Sequence, residues 1–296
     1  MSEPWPSDAI LYQPYEAEQI LLPENASCLA VKTYLKMCNL PYDVRACANA
    51  EFMSPGGRMT KLPVLKAGAF VLAEFEPIVN FTEQKNEAIG KWMDEDEKAE
   101  MRSYVCLTEN IFTMAELYIS FMLKPVYDEV TAPRNGCVFP WPLNQIQNFS
   151  KRRQARKLLK VYQWTDMTID DVIEKVYKCC ENLQLKLEET SGDYFYGDKP
   201  CELDAIVFGH LFSVLTVKLP NMALAQVVKK FDLHHEDIRT LSERKLNSTK
   251  SHSNKIQCQR FSDLLCRGTE RRVRNLYWQC YCYHYVDALR QAVDYL

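Results

Sequence analysis

The sequence predicts an α/β domain followed by an all-α domain, and three observations carry that expectation. Residues 8–85 order their short apolar segments as β-α-β-β-β-α. Beyond residue 98, apolar side chains recur at i+3 and i+4, the period of helices buried along one stripe. Late in that second half, residues 194–211 (YFYGDKPCELDAIVFGHL) pass from a Gly-Asp turn through a proline into a helix that turns apolar within one turn. Such a helix enters a core instead of lying on a surface. Its Cys201-x-x-Asp204 spacing puts an acid at the third helical position, where it can hold orphan backbone N–H groups.

The elements of the first half follow in order. Residues 9–12 (AILY) make a strand. After Pro14 and Pro23, Asn25 or Ser27 is expected to cap a helix whose apolar positions include Ala26, Leu29, Ala30, Tyr34, Leu35 and Cys38. Asn39-Leu40-Pro41 ends it, and residues 42–47 alternate as a strand does. A loop at 53–57 (MSPGG) leads to strands at 62–65 and 70–72 across an Ala67-Gly68 turn. A helix is expected from Pro77, a favoured first helical residue, to about Lys85.

Residues 86–97, polar and acidic, read as a linker to a helical domain over 98–238. A long amphipathic helix runs from Met101 to Met122, and Pro125 and Pro133 are expected to break the pattern. A proline-flanked loop at 136–146 precedes a basic helix, 151–160, with six Lys/Arg. Thr168-x-x-Asp171 opens a further helix through Val172, Val176, Cys180 and Leu183. Cys179 and Cys180 on it are expected to send one thiol to the core and one to the surface. Residues 223–231 close the domain, and His210, inside the apolar helix, reads as a hydrogen-bonded core histidine.

Residues 239–296 differ in character. They hold 11 Lys/Arg against 5 Asp/Glu, whereas the rest of the chain holds 25 against 34. Residues 242–260 are expected to be disordered and 275–296 to form an amphipathic helix. Cys280, Cys282 and His284 invite a metal reading with His234 or His235, but C-x-C-x-H is not a common zinc spacing, so no metal is expected. The tail's aromatic and basic residues suit a membrane interface better than nucleic acid, for which no fold motif is present. Residues 1–10 lack a signal-peptide pattern, and no stretch reaches the roughly 18–20 apolar residues of a membrane span. Twelve scattered cysteines are then expected to be reduced thiols.

The segments MCNLPY (37–42), ANAEFMSPGG (48–57), EPIVNF (76–81), KAEM (98–101), TMAELY (113–118), PWPLNQI (140–146) and ELDAIVFGHL (202–211) carry a resemblance to the metaxin family. It is closest to the metaxin type that lacks a membrane-spanning tail. That family is similar to glutathione S-transferases, with a thioredoxin-like domain before a helical domain. The resemblance implies a non-enzymatic scaffold on the cytosolic face of the mitochondrial outer membrane. It implies peripheral attachment through a tail-anchored metaxin partner, alongside a β-barrel assembly subunit, and a role in protein import and β-barrel insertion. No cofactor is implied.

The transferase likeness also implies where vestigial glutathione contacts would lie: Ser27 and Cys28 near the first helix's start, Pro63 as a cis-proline, and Glu74. Phe75 stands where transferases usually carry a serine, which removes a donor the ligand needs. The alternative reading is a glutathione-dependent transferase or reductase using Ser27 or Cys28. Cys201 replaces the usual Thr or Ser of the capping box, a loss of about 1 kcal/mol at that helix start. On an outer-membrane surface, Lys151, Arg152, Arg153, Arg156 and Lys157 become candidates for membrane or partner contact.

Overall fold

In the computed structural model, strand β1 (Ile10–Gln13) lies between two partners. It pairs in parallel with β2 (Asp43–Ala46) and antiparallel with β3 (Val64–Ala67); β3 in turn pairs antiparallel with β4 (Phe70–Ala73). The sheet order is therefore β2-β1-β3-β4. Residues 4–16, 18–48, 61–190 and 192–231 are described. The 53–57 loop, His234, His235, Cys280, Cys282, His284 and all else expected of residues 239–296 lie outside the described residues.

The parallel pair requires a crossover, and helix α1 (Leu22–Met37) supplies it. It starts a turn earlier than Asn25 or Ser27 would place it. Pro23 sits in its first turn, where a missing N–H costs nothing, and the Glu24 carboxylate accepts the Leu21 N–H at 3.2 Å. Ser27, now inside the helix, donates its hydroxyl to the Pro23 carbonyl at 3.2 Å. Helix α2 (Phe75–Gln84) likewise begins two residues before Pro77. The Tyr34 hydroxyl meets Thr82 Oγ1 at 2.7 Å and ties α1 to α2 inside the first core.

The helical half begins inside the segment expected to be linker. Asp94 caps α3 (Glu95–Phe121) and accepts the Glu97 N–H at 2.8 Å, while the Glu97 carboxylate accepts the Asp94 N–H at 3.1 Å. Pro125 and Pro133 do not break the chain into loops. They occupy the first turns of α4 (Lys124–Val126) and α5 (Ala132–Gly136), joined by a π turn at Tyr127–Thr131. Helix α6 (Leu143–Val161) takes in part of the expected loop. Thr168 and Asp171 cap α7 (Ile169–Glu188) reciprocally. Both Cys179 and Cys180 are buried, against the expected one-in, one-out arrangement, because α7 packs on α3 and on α9 (Ala223–Val228). Helix α9 stops three residues short of the expected 231.

Helix α8 (Glu202–Thr216) is where the two halves meet. Leu203, Val207, Leu211 and Val214 belong to the helical core, whereas Ala205 and Ile206 belong to the core beneath the sheet. Eleven of its fifteen residues are buried, so it has no solvent stripe. Gly209 sets its distance from α1. A Cβ there would lie 2.5 Å from the Ala26 carbonyl oxygen and 2.8 Å from the Ala30 nitrogen, so the two backbones approach where only glycine fits.

Candidate functional site

The residues that a thiol-peptide site would use fall into two groups. Pro63 and Glu74 come together: the Leu62-Pro63 bond is cis, and the Pro63 carbonyl accepts the Glu74 N–H at 3.0 Å. Glu74 is held at φ 70°, a conformation unusual for a residue with a side chain, and it is exposed. Ser27 and Cys28 are placed differently. Cys28 is the seventh residue of α1, beyond the orphan N–H groups of the helix start, and is 1% exposed. The Ser27 hydroxyl is engaged within its own helix. Phe75, at the serine position, is a core ring packed edge-on against Tyr34 at 5.5 Å.

Glu74 Oε1 lies 4.0 Å from Lys61 Nζ. Burial pushes the pKa of Glu109 on α3 up, against the pull of His210, and Glu76 and Glu74 push it further. Three carboxylates thus bear on one region of the boundary between the halves.

His210, expected as a hydrogen-bonded core histidine, has Glu116 on α3 as its partner. His210 Nδ1 lies 2.8 Å from Glu116 Oε1, and His210 stacks on Phe112 at 5.4 Å. Glu116 carries a sequence signal that was available, since it shares the buried stripe of α3 with Phe112 and Ala115. A separate cleft of about 230 Å³ is lined in part by Glu83, Lys98, Arg102 and Glu202. Burial, with Glu83 adding to it against Arg102, pushes the Glu202 carboxyl up to about 7. Nothing in the spacing of these residues announced that cleft.

The capping residues of α8 do meet. The Asp204 carboxylate accepts the Cys201 N–H at 2.8 Å and the Phe195 N–H at 3.2 Å. Just before it, Tyr194 and Gly197 exchange two backbone hydrogen bonds, which closes the turn ahead of the helix.

The basic residues of α6 divide by face. Lys151 pairs with Glu24 at the start of α1, and the Arg152 guanidinium lies 3.9 Å from the centre of the Tyr127 ring. Those two are occupied in holding α6 to its neighbours. Arg153, Arg156 and Lys157 are exposed and make no ion pair among the described residues. Among the described residues, no helix is long and apolar enough to cross a membrane.

Comparison with known proteins adds three findings. The family described as "Outer mitochondrial membrane transport complex protein" matches residues 28–152, and the glutathione S-transferase C-terminal domain family matches residues 176–233. Metaxin-2 of Mus musculus is 42% identical over 230 residues, covering 78% of this chain and 86% of that protein. The Metaxin-2 homolog of Caenorhabditis elegans is 35% identical over 211 residues, covering 71% and 90%. Among solved structures, a glutathione S-transferase of Ceriporiopsis subvermispora in complex with glutathione aligns with a TM-score of 0.49 at 12% identity, over 77% of this chain and 98% of that one.

Proposed function

This chain belongs to the metaxin family, and from that premise we propose that it is a non-catalytic scaffold of the mitochondrial outer-membrane sorting and assembly machinery. It serves protein import and β-barrel insertion from the cytosolic face, attached peripherally through a tail-anchored metaxin partner. The observation that carries the reading is 42% identity over 230 residues, a length that takes in both the sheet-bearing half and the helical half. The transferase-like cradle supports it. Cys28 is buried, and Phe75 fills the core where a ligand donor would stand. The fold then offers surface instead of chemistry.

Alkaline extraction of mitochondria expressing the tagged chain, followed by affinity capture from mild detergent, tests this. The reading expects release by alkali and recovery of a tail-anchored metaxin with a β-barrel assembly subunit. A protein that stays in the cytosol and recovers neither would overturn it.

A further inference from the structure

We propose that the outward face of α6 docks on an anionic lipid surface, and so gives the chain its own contact with the bilayer. The inference deepens the reading above and rests on it. Helix α6 is held by one side only. Ala155 and Leu159 are buried, Lys151 pairs with Glu24, and Arg152 lies over Tyr127. On the opposite side Ile146, Phe149, Arg153, Arg156, Lys157 and Lys160 fall within an arc of about 100° at the helical period. All six are exposed, Phe149 at 69%.

Charge and apolarity are arranged along that face in a way a merely solvated helix does not need. No Asp or Glu occurs between Glu129 and Asp166. The four cations of the arc form no ion pair among the described residues, whereas the exposed face of α7 carries acids among its lysines, with Lys178 2.6 Å from Glu174. Apolar groups stand at both ends of the cationic run. Trp141, in the turn before α6, is 80% exposed, and Val161 and Tyr162 are exposed where the helix ends. Short apolar anchors flanking a basic segment suit a bilayer interface, where side chains enter the headgroup layer and cations meet lipid phosphates.

A protein partner is the weaker candidate. The apolar groups are spread along a convex helix instead of gathered in a pocket, and two of the four cations are lysines, which protein interfaces tend to exclude.

Flotation of the full chain with phosphatidylcholine vesicles, and with the same vesicles containing phosphatidylserine, tests the proposal. The wild type is expected to float with the anionic vesicles and to be released by salt. Neutralising each cation to Gln weakens binding about 5-fold, and Arg153→Glu, Arg156→Glu, Lys157→Glu and Lys160→Glu together abolish it. Phe149→Ser weakens it even at low salt, while Lys178→Glu on α7 leaves it unchanged. Should the fourfold variant fold poorly by circular dichroism, the single Gln series reads the same loss in steps. Equal flotation with neutral and anionic vesicles, or wild-type binding by the charge-reversed chain, overturns the proposal. So does retained vesicle binding with lost capture of the metaxin partner, which would make α6 a protein interface. A wild type absent from mitochondria defeats the scaffold reading; a wild type on mitochondria that ignores anionic vesicles defeats only the lipid contact.

Discussion

His210 on α8 and Glu116 on α3 face each other at 2.8 Å, with the Glu116 side chain wholly buried and the His210 side chain nearly so. Burial alone would lower the His210 pKa, but the charge and hydrogen bond of Glu116 outweigh it and the pKa is raised. Burial raises that of Glu116, against the pull of His210. Removing one partner strands the other. Glu116→Ala is expected to cost ~3–5 kcal/mol in urea unfolding, whereas Glu116→Leu with His210→Leu recovers most of that loss.

The same pair makes stability depend on pH with a definite sign. A group whose folded pKa is raised stabilises most below its unfolded pKa and loses that contribution as pH rises through the folded value. For His210 the loss begins as pH rises above 6.5. Glu116 acts in the same direction. Thermal unfolding should therefore show a midpoint that falls as pH rises above 6.5, and the fall should be shallower in the double-leucine variant.

At Gly209 two effects oppose each other. Alanine is the better helix former by ~1 kcal/mol, yet its Cβ would sit 2.5 Å from a backbone oxygen of α1. Backbone cannot move aside as a flexible side chain can, so overpacking wins. Gly209→Ala is expected to lower stability by ~1–3 kcal/mol, read by chemical denaturation. Stability equal to or above the wild type would show that α1 and α8 can part without loss.

The start of α8 separates the roles of Cys201 and Asp204. The Cys201 thiol contributes only weak sulfur hydrogen bonds at Asp204, while the Asp204 carboxylate holds two backbone N–H groups. Asp204→Ala leaves both donors unpaired and should cost ~2–4 kcal/mol. Cys201→Ala should cost less, since it loses the packing of a small buried side chain and a weak thiol hydrogen bond. Denaturation curves of the two variants, measured side by side, check the order.

Calorimetric titration with glutathione up to the millimolar range is expected to give no binding heat. Heat that disappears in Cys28→Ala would revive the thiol chemistry.

The sequence made the architecture readable because its signals are local. Thr168-x-x-Asp171 and Cys201-x-x-Asp204 are caps whose partners lie three residues apart, and alternation or helical period follows from one-sided burial. The Asp94-x-x-Glu97 box was equally local but was hidden in a polar run read as linker. Three prolines stand where the pattern suggests loop or break. Pro23 reads as loop and Pro125 and Pro133 as breaks, yet these three, like Pro77, sit in the first turn of a helix, where the missing N–H is not needed. The convergence of Glu74, Glu76 and Glu109 was not legible, because it depends on how the two halves dock across α8. The division of α6 into a held face and a free face likewise needed the positions of Glu24 and Tyr127.

The central claim is that the chain supports β-barrel insertion without chemistry of its own. The most direct measurement is insertion of a labelled β-barrel precursor into mitochondria depleted of this protein, with rescue by wild type or by a Ser27→Ala, Cys28→Ala variant. Depletion is predicted to slow insertion, and the variant to rescue as fully as the wild type. Undiminished insertion after depletion, or rescue that requires Ser27 or Cys28 in a variant that folds normally, would contradict the account.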